Sequence, residues 1–206
     1  MRYMSDEQTG GQGRGRRGFG TRCVHAGQTP DPETGARAPP IYQTSSYVFE
    51  DAATAADRYA LRENGNVYTR FTNPTVAMLE ERLAELSGGT AAVATGSGMA
   101  ALDATTSVLA SSGDNIVSAA SIYGGTHSYF SNMVDRRGIE VRYVDTLDPA
   151  AYAAAIDDST AYLHCETIAN PSLVVPDLGA VAAVAHEAGV PLFVDNTFAT
   201  PYLCRP

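Results

Sequence analysis

Residues 91–101 read as a strand running into a glycine turn that opens a helix. Backbone N–H groups at a helix start bind phosphate, and Gly96 and Gly98 let an anion come close. The Gly96-x-Gly98-x-x-Ala101 spacing also fits a dinucleotide fingerprint, which needs an acid at the end of the next strand to hold a ribose. That strand ends Val117-Ser118-Ala119-Ala120 with no acid, which counts against a nicotinamide oxidoreductase. Asp195 closes an apolar run from Pro191, at the carboxyl end of a strand, where ligands of open α/β sheets bind. A carboxylate there pairs with a protonated heterocycle nitrogen, and serves equally as a cap for the turn into Asn196-Thr197. Tyr68 and Arg70 flank Thr69, and the arginine can clamp an anion with its fork; a solvated turn before a helix accounts for the same residues. Tyr123, ahead of Gly124-Gly125, can lie flat on a planar ligand or be an ordinary half-buried tyrosine.

These residues need rigid elements to hold them. From residue 90 onward strands and helices alternate: strands over 90–95, 115–118, 140–144, 161–164 and 190–194, and helices over 97–109, 125–137, 149–157 and 177–188. In the last helix Leu178, Val181 and Ala185 share a face, and Gly189 stops it. Such alternation predicts an open, mostly parallel sheet flanked by helices. The part before it differs. Residues 20–50, rich in Pro, Gly, Thr and Ser, read as an extended arm, and 51–63 as an Ala-rich helix. Asn73-Pro74 starts another helix, with Asn as N-cap, Pro at the first helical position and an apolar stripe of Val76, Leu79, Leu83 and Leu86. The expected organisation is a disordered tail over 1–20, an arm with helices over 21–89 and a large α/β domain over 90–206.

Composition narrows the partners. Of 206 residues, 44% are hydrophobic, enough for a packed core. A net charge of −9 argues against nucleic acid. All 14 basic residues are arginine, a bias that salt adaptation or GC-rich codons would each produce. Three cysteines without a C-x-x-C motif point to a reducing, cytoplasmic compartment. No apolar run approaches a membrane span, and Arg16-Arg17 is followed by no apolar stretch of an export signal. His25, His127, His164 and His186 have no metal-ligand spacing, so no metal site is expected.

Taken in order, Tyr68-x-Arg70-x-x-Asn73-Pro74-Thr75, Gly96-Ser97-Gly98-Met99-Ala100, Tyr123-Gly124-Gly125-Thr126, Glu166-x-x-x-Asn170-Pro171 and Val194-Asp195-Asn196-Thr197-Phe198 resemble the cystathionine-synthase-like branch of fold-type I pyridoxal-phosphate enzymes. The resemblance runs from about Gly18 to Pro206. Within the branch, His25-Ala26-Gly27-Gln28, Pro40-Ile41-Tyr42-Gln43-Thr44 and Phe198-Ala199-Thr200-Pro201-Tyr202 are similar to the O-acetylhomoserine sulfhydrylases.

The resemblance implies an aminotransferase-like fold binding pyridoxal 5'-phosphate. Gly98 and Met99 would give N–H groups to its phosphate, and Tyr68 and Arg70 would reach that phosphate from a neighbouring subunit of a dimer of dimers. Tyr123 would stack on the ring, Asn170 would lie near the ring hydroxyl, and Asp195 would pair with the ring nitrogen. The implied reaction is γ-replacement on O-acetyl-L-homoserine by sulfide or methanethiol, giving homocysteine or methionine. Cystathionine γ-synthase, cystathionine γ-lyase and methionine γ-lyase chemistry are the alternatives within the branch. A non-catalytic binding or assembly module is the alternative outside it. The family's Ser-x-Thr-Lys segment and C-terminal domain are expected beyond Pro206, which would leave the large domain incomplete. Without a lysine the 206 residues are expected to have no activity by themselves.

Overall fold

A computed structural model describes residues 17–206. The chain forms two compact units, Met1–Leu86 and Ser87–Pro206. After the end of α3 (Pro74–Ser87) the second contains α4 (Gly98–Leu109), β1 (Asn115–Ala119), α5 (Gly124–Tyr129), β2 (Glu140–Val144), α6 (Pro149–Ala155), β3 (Thr160–Glu166), α7 (Leu178–Glu187), β4 (Leu192–Asp195) and the short α8 (Thr200–Leu203). After α5 the helix widens into a π-helical stretch, Phe130–Val134.

The strands lie in the order β2-β1-β3-β4 and every pairing is parallel. The chain passes from β1 to β2 on one side, then returns to place β3 on the other. This reversal makes a crevice beyond the carboxyl ends of β1 and β3. Alternation along the strands supplies two cores. Ile116 and Tyr162 pack with Leu102, Phe130 and Val134 beneath α4 and the π-helical stretch. Val117 and Leu163 pack with Tyr152, Val181 and Ala185 beneath α6 and α7 on the opposite face. Helices therefore cover both faces, as the sequence pattern predicts for a parallel sheet.

Three of these helices, α4, α6 and α7, start at a capping side chain. The side chains of Ser97, Asp148 and Asp177 accept from the N–H groups of Ala100, Ala150 and Ala180 at 3.1, 2.9 and 3.0 Å. These bonds satisfy N–H groups that a helix leaves without internal partners.

The first unit contains α1 (Phe19–His25), α2 (Ala52–Tyr59) and α3 (Pro74–Ser87, which ends one residue past the unit boundary). Asp51 caps α2 through Thr54 N–H, and Asn73 caps α3 through Thr75 N–H.

Five expectations need correction. The arm is not extended throughout, because α1 forms inside it. Arg22 of α1 is buried and donates to Glu85 O at 2.8 Å, a tertiary contact that overrides a weak local pattern. The tail expected over 1–20 lies outside the described residues up to Arg16, and Phe19 and Gly20 are helical. Residues 90–95 form no strand among the described residues, since an apolar run alone does not supply a ladder partner. The α2 helix stops at Tyr59, before Leu61 with φ 57°. In α3 only Leu86 of the expected stripe is buried; Val76, Leu79 and Leu83 are exposed.

Candidate active site

At the crevice, a cavity of about 460 Å³ opens among the loops after β1, β3 and β4 and the start of α4. It falls in the size range of small-molecule sites. Gly98, Met99, Tyr123, Asn170 and Asp195 all line it. Five of the seven residues singled out from sequence thus meet in one place. Tyr68 and Arg70 belong to the first unit and line a shallow hollow there with Tyr42 and Thr44. The Arg70 guanidinium carbon lies 5.4 Å from the Tyr68 ring centre, and it has no acidic partner among the described residues.

Each wall has a local cause. The first turn of α4 directs backbone N–H groups into the cavity. Ser97 satisfies the third helical N–H and its carbonyl the fourth, at Ala101, which leaves those of Gly98 and Met99 without acceptors among the described residues. A Cβ built on Gly96 or Gly98 would meet no protein atom within 4 Å, so the space beside that turn is open to a ligand. Tyr123 is 47% exposed, with its ring laid over Gly125. A Cβ on Gly125 would come within 2.3 Å of Tyr123 Cε1, so glycine there is what lets the ring take this position.

Asp195 ends β4. Its Oδ1 accepts from Thr197 N and Oγ1 at 2.9 and 2.5 Å, while Oδ2 has no partner among the described residues. The turn cap and the ligand-facing carboxylate are therefore not alternatives; one oxygen serves each. Beside it, Asn196 Oδ1 is a buried acceptor without a donor. No arginine lines the cavity, so an anion held here rests on neutral donors, the helix N–H groups among them, within this unit.

Sequence reasoning missed two wall residues. His164, 1% exposed, has Nδ1 3.2 Å from Ser118 Oγ, and burial pushes its pKa down to about 4, so it is neutral near pH 7. Period-two alternation from Tyr162 was the available signal for its direction. Glu166, 5% exposed, accepts backbone N–H bonds from Tyr123 and Asn170. Desolvation raises its pKa, those two bonds lower it, and nearby Asp195 raises it again. Among the described residues no group of His, Cys, Asp and Glu side chains could hold a metal.

The Cys/Met metabolism PLP-dependent enzyme family model matches residues 20–206. The chain belongs to that family. The cofactor is pyridoxal phosphate, and the nicotinamide alternative falls away. The sulfhydrylase FUB7 of Fusarium oxysporum f. sp. lycopersici is 49% identical over 91% of this chain and 44% of its own length. O-acetyl-L-homoserine sulfhydrylase 1 of Thermus thermophilus is 49% identical over 91% of this chain and 45% of its own. A crystal structure from Campylobacter jejuni subsp. jejuni, described as an O-acetylhomoserine (thiol)-lyase with N'-pyridoxyl-lysine-5'-monophosphate, superimposes with a TM-score of 0.89 at 36% identity. That match covers 93% of this chain and 47% of the other, so this chain spans a little under half the length of such relatives. The parallel sheet with helices on both faces is thus that of fold-type I enzymes.

The cavity fits the cofactor's chemistry. It offers unpaired N–H groups at a glycine turn for a phosphate, an aromatic ring for a planar heterocycle and an unpaired carboxylate oxygen for a protonated nitrogen.

Proposed function

We propose that this chain forms the cofactor-binding part of an enzyme that carries out γ-replacement on O-acetyl-L-homoserine. Sulfide or methanethiol enters, acetate leaves, and homocysteine or methionine results. The observation that carries the reading is the single cavity lined by Gly98, Met99, Tyr123, Asn170 and Asp195. The name of the Thermus thermophilus relative, an O-acetyl-L-homoserine sulfhydrylase at 49% identity, supports the substrate.

The family resemblance gives each residue a task, and its place in the cavity allows it. Gly98 and Met99 N–H groups bind the phosphate at the positive end of α4. Tyr123 would cover one face of the ring, and Asn170 would lie by the ring hydroxyl. Asp195 Oδ2 would pair with the ring nitrogen and favour its protonated form, while Thr197 holds Oδ1 and so the carboxylate plane. Bound pyridoxal phosphate supplies an electron sink for charge developing on substrate carbons. The neutral His164 leaves Asp195 as the charge for that nitrogen. A phosphate dianion needs more than two N–H groups, and the cavity has no cation of its own. Arg70, without an acidic partner, fills that need when supplied with Tyr68 by a second copy of the chain. This supports a homo-oligomer with shared sites. A cytoplasmic location accords with three free cysteines, and no helix among the described residues is long and apolar enough to cross a membrane.

In the protein carrying this chain, O-acetyl-L-homoserine with sulfide is expected to yield homocysteine and acetate. Cystathionine or methionine is expected to react far more slowly. A preference for either of those substrates overturns the reading. The 206 residues contain no lysine and are expected to show no turnover when assayed alone.

A further inference from the structure

Resting on the reading that the cavity holds pyridoxal phosphate, we propose that Glu166 is a positioning residue that ties together the turns carrying Tyr123 and Asn170. Its Oε1 accepts the Tyr123 N–H at 2.6 Å and its Oε2 accepts the Asn170 N–H at 3.0 Å. The first N–H belongs to the loop after β1, the second to the loop after β3. Neither is part of a helix or strand ladder, so each needs an acceptor once water is excluded. One carboxylate supplies both.

An ionised acid meets both donors without conflict, one oxygen to each. A glutamine of the same shape has one acceptor oxygen, and its NH₂ would face the other N–H. The charge is costly to keep. Glu166 is 5% exposed, and its strand neighbour in register is Asp195, a second acid. The titratable groups around it are Asp195 on β4, His164 and Cys165 on its own strand, and Asp145, which shares with it a smaller cavity on the other side. None of these is a cation. A side chain needed only for packing would not hold a negative charge beside another acid. Fixing two loops at once accounts for it, because the ring of Tyr123 and the amide of Asn170 then face the ligand from set positions. The Glu166-x-x-x-Asn170 spacing lets the carboxylate reach the N–H four residues on.

The test uses the full chain. In ¹⁵N-resolved NMR without ligand, the amide signals of Tyr123 and Asn170 are expected to titrate together, with one shared midpoint above the ordinary glutamate range. Separate midpoints, or no response, overturn the bridge without any variant having to fold. Titration with pyridoxal phosphate then reads the consequence. Glu166→Gln is expected to raise the dissociation constant about tenfold or more, the range for a hydrogen bond to a charged group. On a Tyr123→Ala background the same change is expected to cost much less, because part of what it positions is gone. Binding by Glu166→Gln within about twofold of the wild type, or additive effects in that cycle, contradicts the role. Failure of the wild type to bind pyridoxal phosphate at all would sink the underlying functional reading instead.

Discussion

Ile116, Val117, Tyr162, Leu163, Val181 and Ala185 in the second unit are each 0% exposed, whereas in the first unit Val48 is 94% exposed and Phe71 73%. The second unit pairs a parallel sheet with helices on both faces, and neighbours close in sequence bury each other. The first unit buries few side chains, and its Tyr68–Asn73 turn is held by polar contacts instead. Thr69 N–H donates to Ser45 O at 2.9 Å, and Asn73 Nδ2 donates to Tyr42 O at 2.9 Å. The difference teaches where precision comes from. Asp195, Glu166 and the Gly98 turn sit on ends of packed elements, so their geometry is fixed by a core. Tyr68 and Arg70 sit on a surface segment whose position is set by hydrogen bonds among loops.

The largest expected effect concerns that core. Leu163→Ala should destabilise the chain by about 2–5 kcal/mol, the range for a large-to-small change in a packed interior. Leu79→Ala, at a site 47% exposed, should cost well under half of that. Urea unfolding followed by circular dichroism measures both, and equal costs would break the contrast between the units.

Next comes acid sensitivity. His164 is pushed down from 6.5 to about 4 by burial. Between those values the unfolded chain takes up a proton there that the folded chain refuses, so stability falls as pH drops through this window. Replacing it by Phe keeps the ring contacts with Phe130 and Phe193 and removes the proton. His164→Phe should therefore lose less stability between pH 7 and pH 4, by up to roughly 3 kcal/mol. Unfolding midpoints at the two pH values check this, and parallel losses in both proteins would contradict it.

A smaller effect sharpens the link between packing and site. Gly125→Ala should leave the fold intact, since alanine favours helix, yet displace the Tyr123 ring. Pyridoxal phosphate binding should weaken by about three- to tenfold, the worth of one ring stack. A titration with no change would show that Tyr123 does not lie on the ring.

Much of this was legible in the sequence because short-range rules wrote it. The Asn73 cap marks a helix start that the structure places at the next residue, and the helices expected from Asp51, Ser97 and Asp177 each begin one residue later, with those side chains as caps. Short apolar runs alternating with helix patterns mark β1 to β4. The cavity residues were legible as a set because each lies at a strand or helix end, where an α/β sheet gathers its ligand contacts. Other features depended on contacts the sequence does not encode locally. The α1 helix relies on Arg22 reaching Glu85, 63 positions away. The stripe on α3 marks apolar surface but not what covers it. Glu166 was visible as the first residue of its motif, while its role as acceptor for two loops emerges only when Tyr123, 43 positions earlier, is brought beside it.

The central claim is that one cavity of the second unit receives pyridoxal phosphate, with phosphate at the α4 turn and ring nitrogen at Asp195. Adding the cofactor to ¹⁵N-labelled chain and mapping the amide shifts tests it most directly. Saturable shifts at Gly98, Met99, Tyr123 and Asp195 are expected, lost together in Asp195→Ala at the same cofactor concentration. Shifts confined to other residues, or unaltered binding by Asp195→Ala, would contradict it.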